Sequence, residues 1–196
     1  RKEGMAIDLG ALAKGYVADK IVDFLKRIGV EAGLINLGGN VLTFGQASHN
    51  PDGYWRIGIQ DPLKPRGENA LVLKIREESV VTSGIYERTL TVNGKTYHHI
   101  LSPETGYPIE SQLASLTIVS KRSVDGEIWT TRLFGQEMTR IYKMVEETDG
   151  IEAVLIGLDG RILVTSGLSE KVLAGKERVS DSLGSPSRGG LGARVT

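Results

Sequence analysis

The chain has 196 residues, 40% of them apolar, which is enough for one sizeable core and at most a second small one. Its 24 Lys and Arg balance 24 Asp and Glu, so no strong field points to nucleic acid or a polyanion, and no nucleic-acid partner is expected. There is no Cys, which excludes disulfides, thiolate metal sites and Cys nucleophiles together.

No window reaches the roughly 18 consecutive apolar residues of a membrane span, and "RKEGMAIDLG" lacks the apolar run of a signal peptide. The localisation stays open on this evidence. From Ala11 the residues Leu12, Tyr16, Val17, Ile21, Phe24, Leu25 and Ile28 recur at spacings of three and four, predicting an amphipathic helix that closes near Gly29. "AGLINLGGNVLTFG" reads as a mostly apolar strand broken at Gly38 and Gly39, where a bulge or a close backbone approach is expected. "YWRIGIQDP", "NALVLKI" and "SVVTSG" are further strands, and "ERTLTVNGKTYHHIL" is a hairpin about Asn93-Gly94. "SLTIVS" is another strand, followed by a helix from about Gly126 to Glu147 with Ile128, Leu133, Phe134, Met138, Ile141, Tyr142 and Val145 as its apolar set. "IEAVLIGLDGRILVTSGL" forms a second hairpin around Asp159-Gly160. Residues 169–196, rich in Gly, Ser and Arg, read as a disordered tail or linker. This order predicts an α+β domain over residues 1–168, with mixed, largely antiparallel pairing and flanking helices.

Five segments concentrate chemistry, and each has an ordinary reading beside it. Asp8 to Tyr16 offers a helix N-terminus and Lys14 to an anion, or is a capped surface helix. "NLGGN" sets the amides of Asn36 and Asn40 around Gly38 and Gly39, where a flat ligand could reach the backbone, or is a bulged strand. Thr82, Ser83 and Gly84 end a strand with hydroxyls that could bond a phosphate or a heterocycle edge, or make a turn. His99 could act as acid, base or donor near neutral pH, with Pro103, Thr105, Gly106 and Pro108 fixing the next turn; a strand-end His is also ordinary packing. Asp125 and Glu127 precede Thr130 and Thr131 at a helix start. That is common capping chemistry, yet Glu127 and Thr131 are four apart and share one helix face, as a hard cation would require.

Taken together, "IDLGALAKGY", "LINLGGN", "TSG" and "HILSPETGYP" resemble, in order, the motifs of the ApbE-type FAD:protein FMN transferases, over about residues 5 to 165. The resemblance implies an ApbE-like, T-fold-related architecture. It also implies an enzyme that moves FMN from FAD to a threonine hydroxyl of an acceptor flavoprotein subunit and releases AMP. A divalent cation, usually magnesium, is implied at the pyrophosphate, held by the main-chain oxygen of Ala13 with Glu127 and Thr131; Asp125 is the substitute acid. Lys14, Asn36, Gly38, Gly39, Thr82, Ser83, Gly84 and Thr105 are implied to line the FAD site, with His99 as the catalytic residue beside the incoming hydroxyl. Ser102 stands where the family pattern has Asp. The resemblance further implies a stretch ahead of "IDLG" that completes the flavin cleft, and export or membrane tethering in many members. Two rival activities share these residues: an FAD pyrophosphatase, with water in place of threonine, and a non-catalytic flavin-binding module.

Overall fold

The computed structural model describes residues 3–85, 89–92, 95–98, 100–102, 104–109, 111–174 and 179–180. Helix α1 (Gly10–Arg27) begins where Asp8 Oδ1 accepts a hydrogen bond from Gly10 N at 2.6 Å. The predicted apolar stripe is used only in part: Gly15, Ala18 and Val22 are buried, whereas Tyr16, Val17, Phe24 and Ile28 are exposed. The cause is the closeness of α2 (Ser123–Leu133). A Cβ on Gly15 would stand 2.5 Å from the Ser123 carbonyl oxygen, so the crossing admits no larger side chain there.

The segment expected to be one bulged strand is a hairpin. β1 (Gly33–Leu37) and β2 (Asn40–Phe44) pair antiparallel with Leu37 opposite Asn40, leaving Gly38 and Gly39 as a two-residue turn. Their φ angles are +62° and +90°, and a tight turn with both central residues at positive φ suits the twist of the flanking strands. The apolar run is continuous across the turn, which is why a pattern reading merges the two strands.

The remaining strands are β3 (Trp55–Gln60), β4 (Asn69–Ile75), β5 (Ser79–Gly84), β6 (Thr89–Val92), β7 (Lys95–His98) and β8 (Leu113–Ser120). After the helices come β9 (Ile151–Gly157), β10 (Ile162–Val164), β11 (Val172–Ala174) and β12 (Val179–Ser180). A seven-stranded sheet runs β1-β2-β5-β8-β9-β10-β12, antiparallel except where β12 lies parallel to β10. A three-stranded sheet runs β11-β4-β3, and β6 pairs with β7 as predicted, although the turn residues Asn93 and Gly94 lie outside the described residues.

Packing makes three layers. Ile57, Ile59, Leu71 and Leu73 of the small sheet meet Val80, Val119, Val154 and Ile156 on one face of the large sheet. Leu116, Ile118 and Leu155 on its other face meet Leu133, Met138, Ile141 and Val145 of the helical layer. β8 is therefore buried at all eight positions, the condition that produces an unbroken apolar strand. Each such aliphatic side chain contributes about 2 kcal/mol on burial, so this platform stands without help from any predicted site residue.

Two further expectations are corrected. The single helix after β8 is two, α2 and α3 (Met138–Glu146), because Phe134 leaves the helical region at ψ 130° and Gly135 follows at φ +94°. Ordered structure also runs beyond residue 168. A 3-10 helix (Ser166–Lys171) and β11 seat Leu168 and Val172 in the first core, so residues 169–174 are not tail; residues 175–178 and 181–196 lie outside the described residues. No described helix is long and apolar enough to cross a membrane. The fold is α+β with a mixed, largely antiparallel sheet and flanking helices, as expected.

Candidate functional site

Glu127 is the point where α1, β2 and α2 meet. The residue is only 5% exposed, and Oε1 accepts a hydrogen bond from Asn40 Nδ2 at 2.8 Å. Asn40 is oriented in turn by Ser123, whose hydroxyl donates to Asn40 Oδ1 at 2.6 Å; both residues are fully buried. The Lys14 ammonium lies 3.5 Å from the same Oε1. Among the described residues no hydrogen bond engages Oε2. A carboxylate offers about four acceptor positions; Oε1 is fixed by Asn40, while Oε2 is not among the buried polar atoms that lack a partner and so stays open to solvent or a ligand.

The helices are locked to each other around this group. α2 has no side-chain cap of its own; the Asp19 carboxylate from α1 accepts from Ser123 N at 2.8 Å and from Val124 N at 3.1 Å. Caps of this kind contribute about 1 kcal/mol. Here the cap also holds the start of α1 in register with the turn of α2 that carries Glu127.

Of the residues expected to hold a cation, Ala13 lies in the first turn of α1, next in the chain to Lys14, whose ammonium, expected in the FAD site, stands beside Glu127. Thr131 stands one turn after Glu127 with an exposed side chain, whereas the buried Thr130 uses its hydroxyl on the Glu127 carbonyl at 3.2 Å. Asp125 lies in the first turn of α2, two residues from Glu127 and about 200° round the helix. No cluster of three or more His, Cys, Asp or Glu occurs among the described residues. A carboxylate, a hydroxyl and a main-chain oxygen would make a sparse, hard-oxygen set, of the kind that suits magnesium, which keeps water and substrate phosphate in its shell.

The residues expected to line a flavin nucleotide fall into two groups. Asn36, Gly38 and Gly39 border Asn40 directly; Asn36 Oδ1 accepts from Gly39 N at 3.0 Å, so its side chain shapes the turn. Thr82, Ser83 and Gly84 follow Val81, the β5 partner of Asn40, and Thr82 shares a 2.8 Å hydrogen bond with Thr117. Of these segments, the start of α1 reaches Glu127 through Lys14, and the glycine turn adjoins it through Asn40. Thr105 is exposed, and among the described residues its hydrogen bonds go to Ser102 and Tyr107, within its own turn. His99 and Pro103 lie outside the described residues.

Ser102 has a definite task in that turn. Its Oγ accepts from Glu104 N at 3.2 Å and from Thr105 N at 3.4 Å, while its carbonyl accepts from Gly106 N at 2.8 Å. A short side-chain acceptor bonding backbone two residues on is the work an Asp does at such a position, so the hydroxyl replaces the carboxylate in kind. We expect Ser102→Ala to speed amide exchange at Glu104 and Thr105 by roughly three- to tenfold, and Ser102→Asp to keep them protected. Unchanged protection in the Ala variant would refute this role.

Sequence reasoning noted the Asn40 amide beside the Gly pair but left it out of the implied FAD and metal sets. Its signal was its place directly after the Gly pair. Asp19 and Ser123 carried no comparable signal, because their roles exist only once α1 and α2 pack. A separate cleft of about 360 Å³, lined by Tyr16, Asp19, Lys20, Lys26, Phe44 and Arg122 among others, holds none of the predicted site residues.

Fold and site together define an α+β domain in which a buried acid, an amide and an ammonium meet where a helix start adjoins a glycine turn. The chain belongs to the ApbE family, whose sequence model matches residues 1–155. It is 42% identical over 166 residues to an FAD:protein FMN transferase of Klebsiella pneumoniae (strain 342), covering 85% of this chain and 50% of that protein. It is 36% identical over 175 residues to one of Treponema pallidum (strain Nichols), covering 86% and 48%. Among solved structures it resembles the ApbE protein of Thermotoga maritima MSB8, with TM-score 0.78 and 27% identity over 88% of this chain and 55% of that one. The apo form of the Pseudomonas stutzeri flavinyl transferase ApbE follows with TM-score 0.67 and 28% identity over 84% and 51%. The chain spans about half the length of the curated relatives it matches.

Proposed function

We propose that this chain serves the transfer of the FMN half of FAD to a threonine hydroxyl of an acceptor flavoprotein subunit, with release of AMP. The observation that carries the reading is the largely buried carboxylate of Glu127, oriented by Asn40 with one oxygen left open, and placed beside Lys14. Membership of a family whose relatives bear the name FAD:protein FMN transferase supports it.

In this reading Glu127, the Thr131 hydroxyl and the Ala13 main-chain oxygen hold a divalent cation, with magnesium favoured by the hard-oxygen set. When bound, the cation supplies positive charge to the pyrophosphate and the departing AMP. Asn40 fixes the carboxylate, and Asp19 fixes the helix beneath it. Lys14, the Asn36-Gly38-Gly39 turn, Thr82, Ser83, Gly84 and Thr105 line the FAD site. The acceptor oxygen bonds to the flavin-side phosphorus as the bond from that phosphorus to the bridging oxygen breaks. AMP leaves with that oxygen, and the hydroxyl proton passes to a base, for which His99 is the candidate.

The test is to incubate the protein with FAD and magnesium, with and without a threonine-containing acceptor peptide, and to follow AMP together with covalent flavin on the peptide. We expect AMP release to depend on the peptide and to match the flavin it gains. Equal release in both arms, with no labelled peptide, identifies a pyrophosphatase instead.

A further inference from the structure

Lys14 and Asn40 engage the same oxygen of Glu127 in different ways. The Asn40 bond is short, at 2.8 Å, between two buried groups, and Ser123 holds the amide from behind. The Lys14 contact is 3.5 Å, longer than the 2.7–2.9 Å or so of a well-made charge-assisted hydrogen bond, and its side chain is 42% exposed. The carboxylate therefore keeps its orientation if Lys14 leaves. Lys14, a point charge on a long flexible stem, is free to leave.

We propose that Lys14 is the resident counter-ion of this site: it balances the Glu127 charge in the empty state and is displaced when a divalent cation enters. The inference rests on the reading that Glu127 holds such a cation. A buried carboxylate needs opposite charge nearby, and the Lys14 ammonium is the only one paired with it among the described residues. A divalent ion at the same carboxylate removes that need and repels the ammonium at short range, so the two cations exclude each other. Displaced, Lys14 remains tethered at the start of α1, where it meets whatever anion the metal brings. Its contact with Glu127 thus couples cation loading to phosphate binding, so that the residue serves two partners in turn.

The test uses Mn²⁺ alone, with no nucleotide, and counts free ion by its paramagnetic resonance signal. We expect Lys14→Gln to bind Mn²⁺ about three- to fivefold more tightly than the wild type, the size set by a half-exposed ion pair. Lys14→Arg, which keeps the charge, should bind as the wild type does. A lysine that acts solely on phosphate leaves Mn²⁺ affinity unchanged in Lys14→Gln, and one that only braces the helix lowers it; either result overturns the proposal, as does equal tightening in Lys14→Arg. Glu127→Gln separates the two levels of the argument. If the wild type binds no Mn²⁺, or Glu127→Gln binds it equally well, the cation site itself fails and the proposal with it. Binding that is lost in Glu127→Gln but no tighter in Lys14→Gln sinks the counter-ion role alone.

Discussion

Glu127→Gln is expected to lose magnesium-supported AMP release from FAD by at least about a hundredfold, the several kcal/mol of charge stabilisation a bound cation supplies. Asp125→Asn should retain most of the activity. The substitution at Glu127 is nearly isosteric and leaves Asn40 a carbonyl acceptor, so the change is one of charge at a fixed place. Asp125 lies in the first turn of α2, about 200° from Glu127, and serves the helix dipole wherever its carboxylate points. The two carboxylates are two residues apart in the chain, yet they are not interchangeable once wound on a helix. The reverse pattern, an inactive Asp125→Asn beside an active Glu127→Gln, would overturn the assignment of the ligand.

The second large effect is expected at a residue with no side chain. Gly15→Ala should lower stability by about 1–2 kcal/mol, read as a lower urea midpoint at unchanged slope. Helix propensity alone predicts the opposite sign, since Ala is better than Gly in a helix interior by about 1 kcal/mol. Packing decides the outcome. The added Cβ would meet the Ser123 carbonyl oxygen at 2.5 Å, and the Ser123 carbonyl carbon and Val124 Cα at 2.7 Å each. All three are backbone atoms, which cannot swing aside as a side-chain tip can, and relief requires α1 to lift from α2. That movement also draws Lys14 from Glu127 and Asp19 from its cap. A stabilised Gly15→Ala protein would show that the helices do not cross this closely.

What could be read from the chain, and what could not, follows from the range of each interaction. α1 announces itself by spacings of three and four, β8 by an unbroken apolar run, and the β9–β10 hairpin by Asp159-Gly160, all local patterns. The face that α1 buries was misread because the contact uses Gly15 and Ala18, which weigh little in a hydrophobic pattern. β1 with β2, and α2 with α3, were merged because their breaks are short and flanked by apolar residues. In the site, the position of Thr131 one helical turn after Glu127 was legible because a helix repeats locally. The Asn40 and Asp19 contacts were not, since they join residues 87 and 104 positions apart.

Those same separations bear on how the molecule comes into being. The hydrogen bonds that orient Glu127 close loops of 83 and 87 residues, and the cap on α2 closes one of 104. Long loops of this kind are expensive in chain entropy and join late, after local hairpins and helices. A folding intermediate with both sheets paired but α1 undocked would look nearly native by its backbone and lack the oriented acid altogether. Competence at this site is therefore a property of the finished chain, and it reports on the last step of folding.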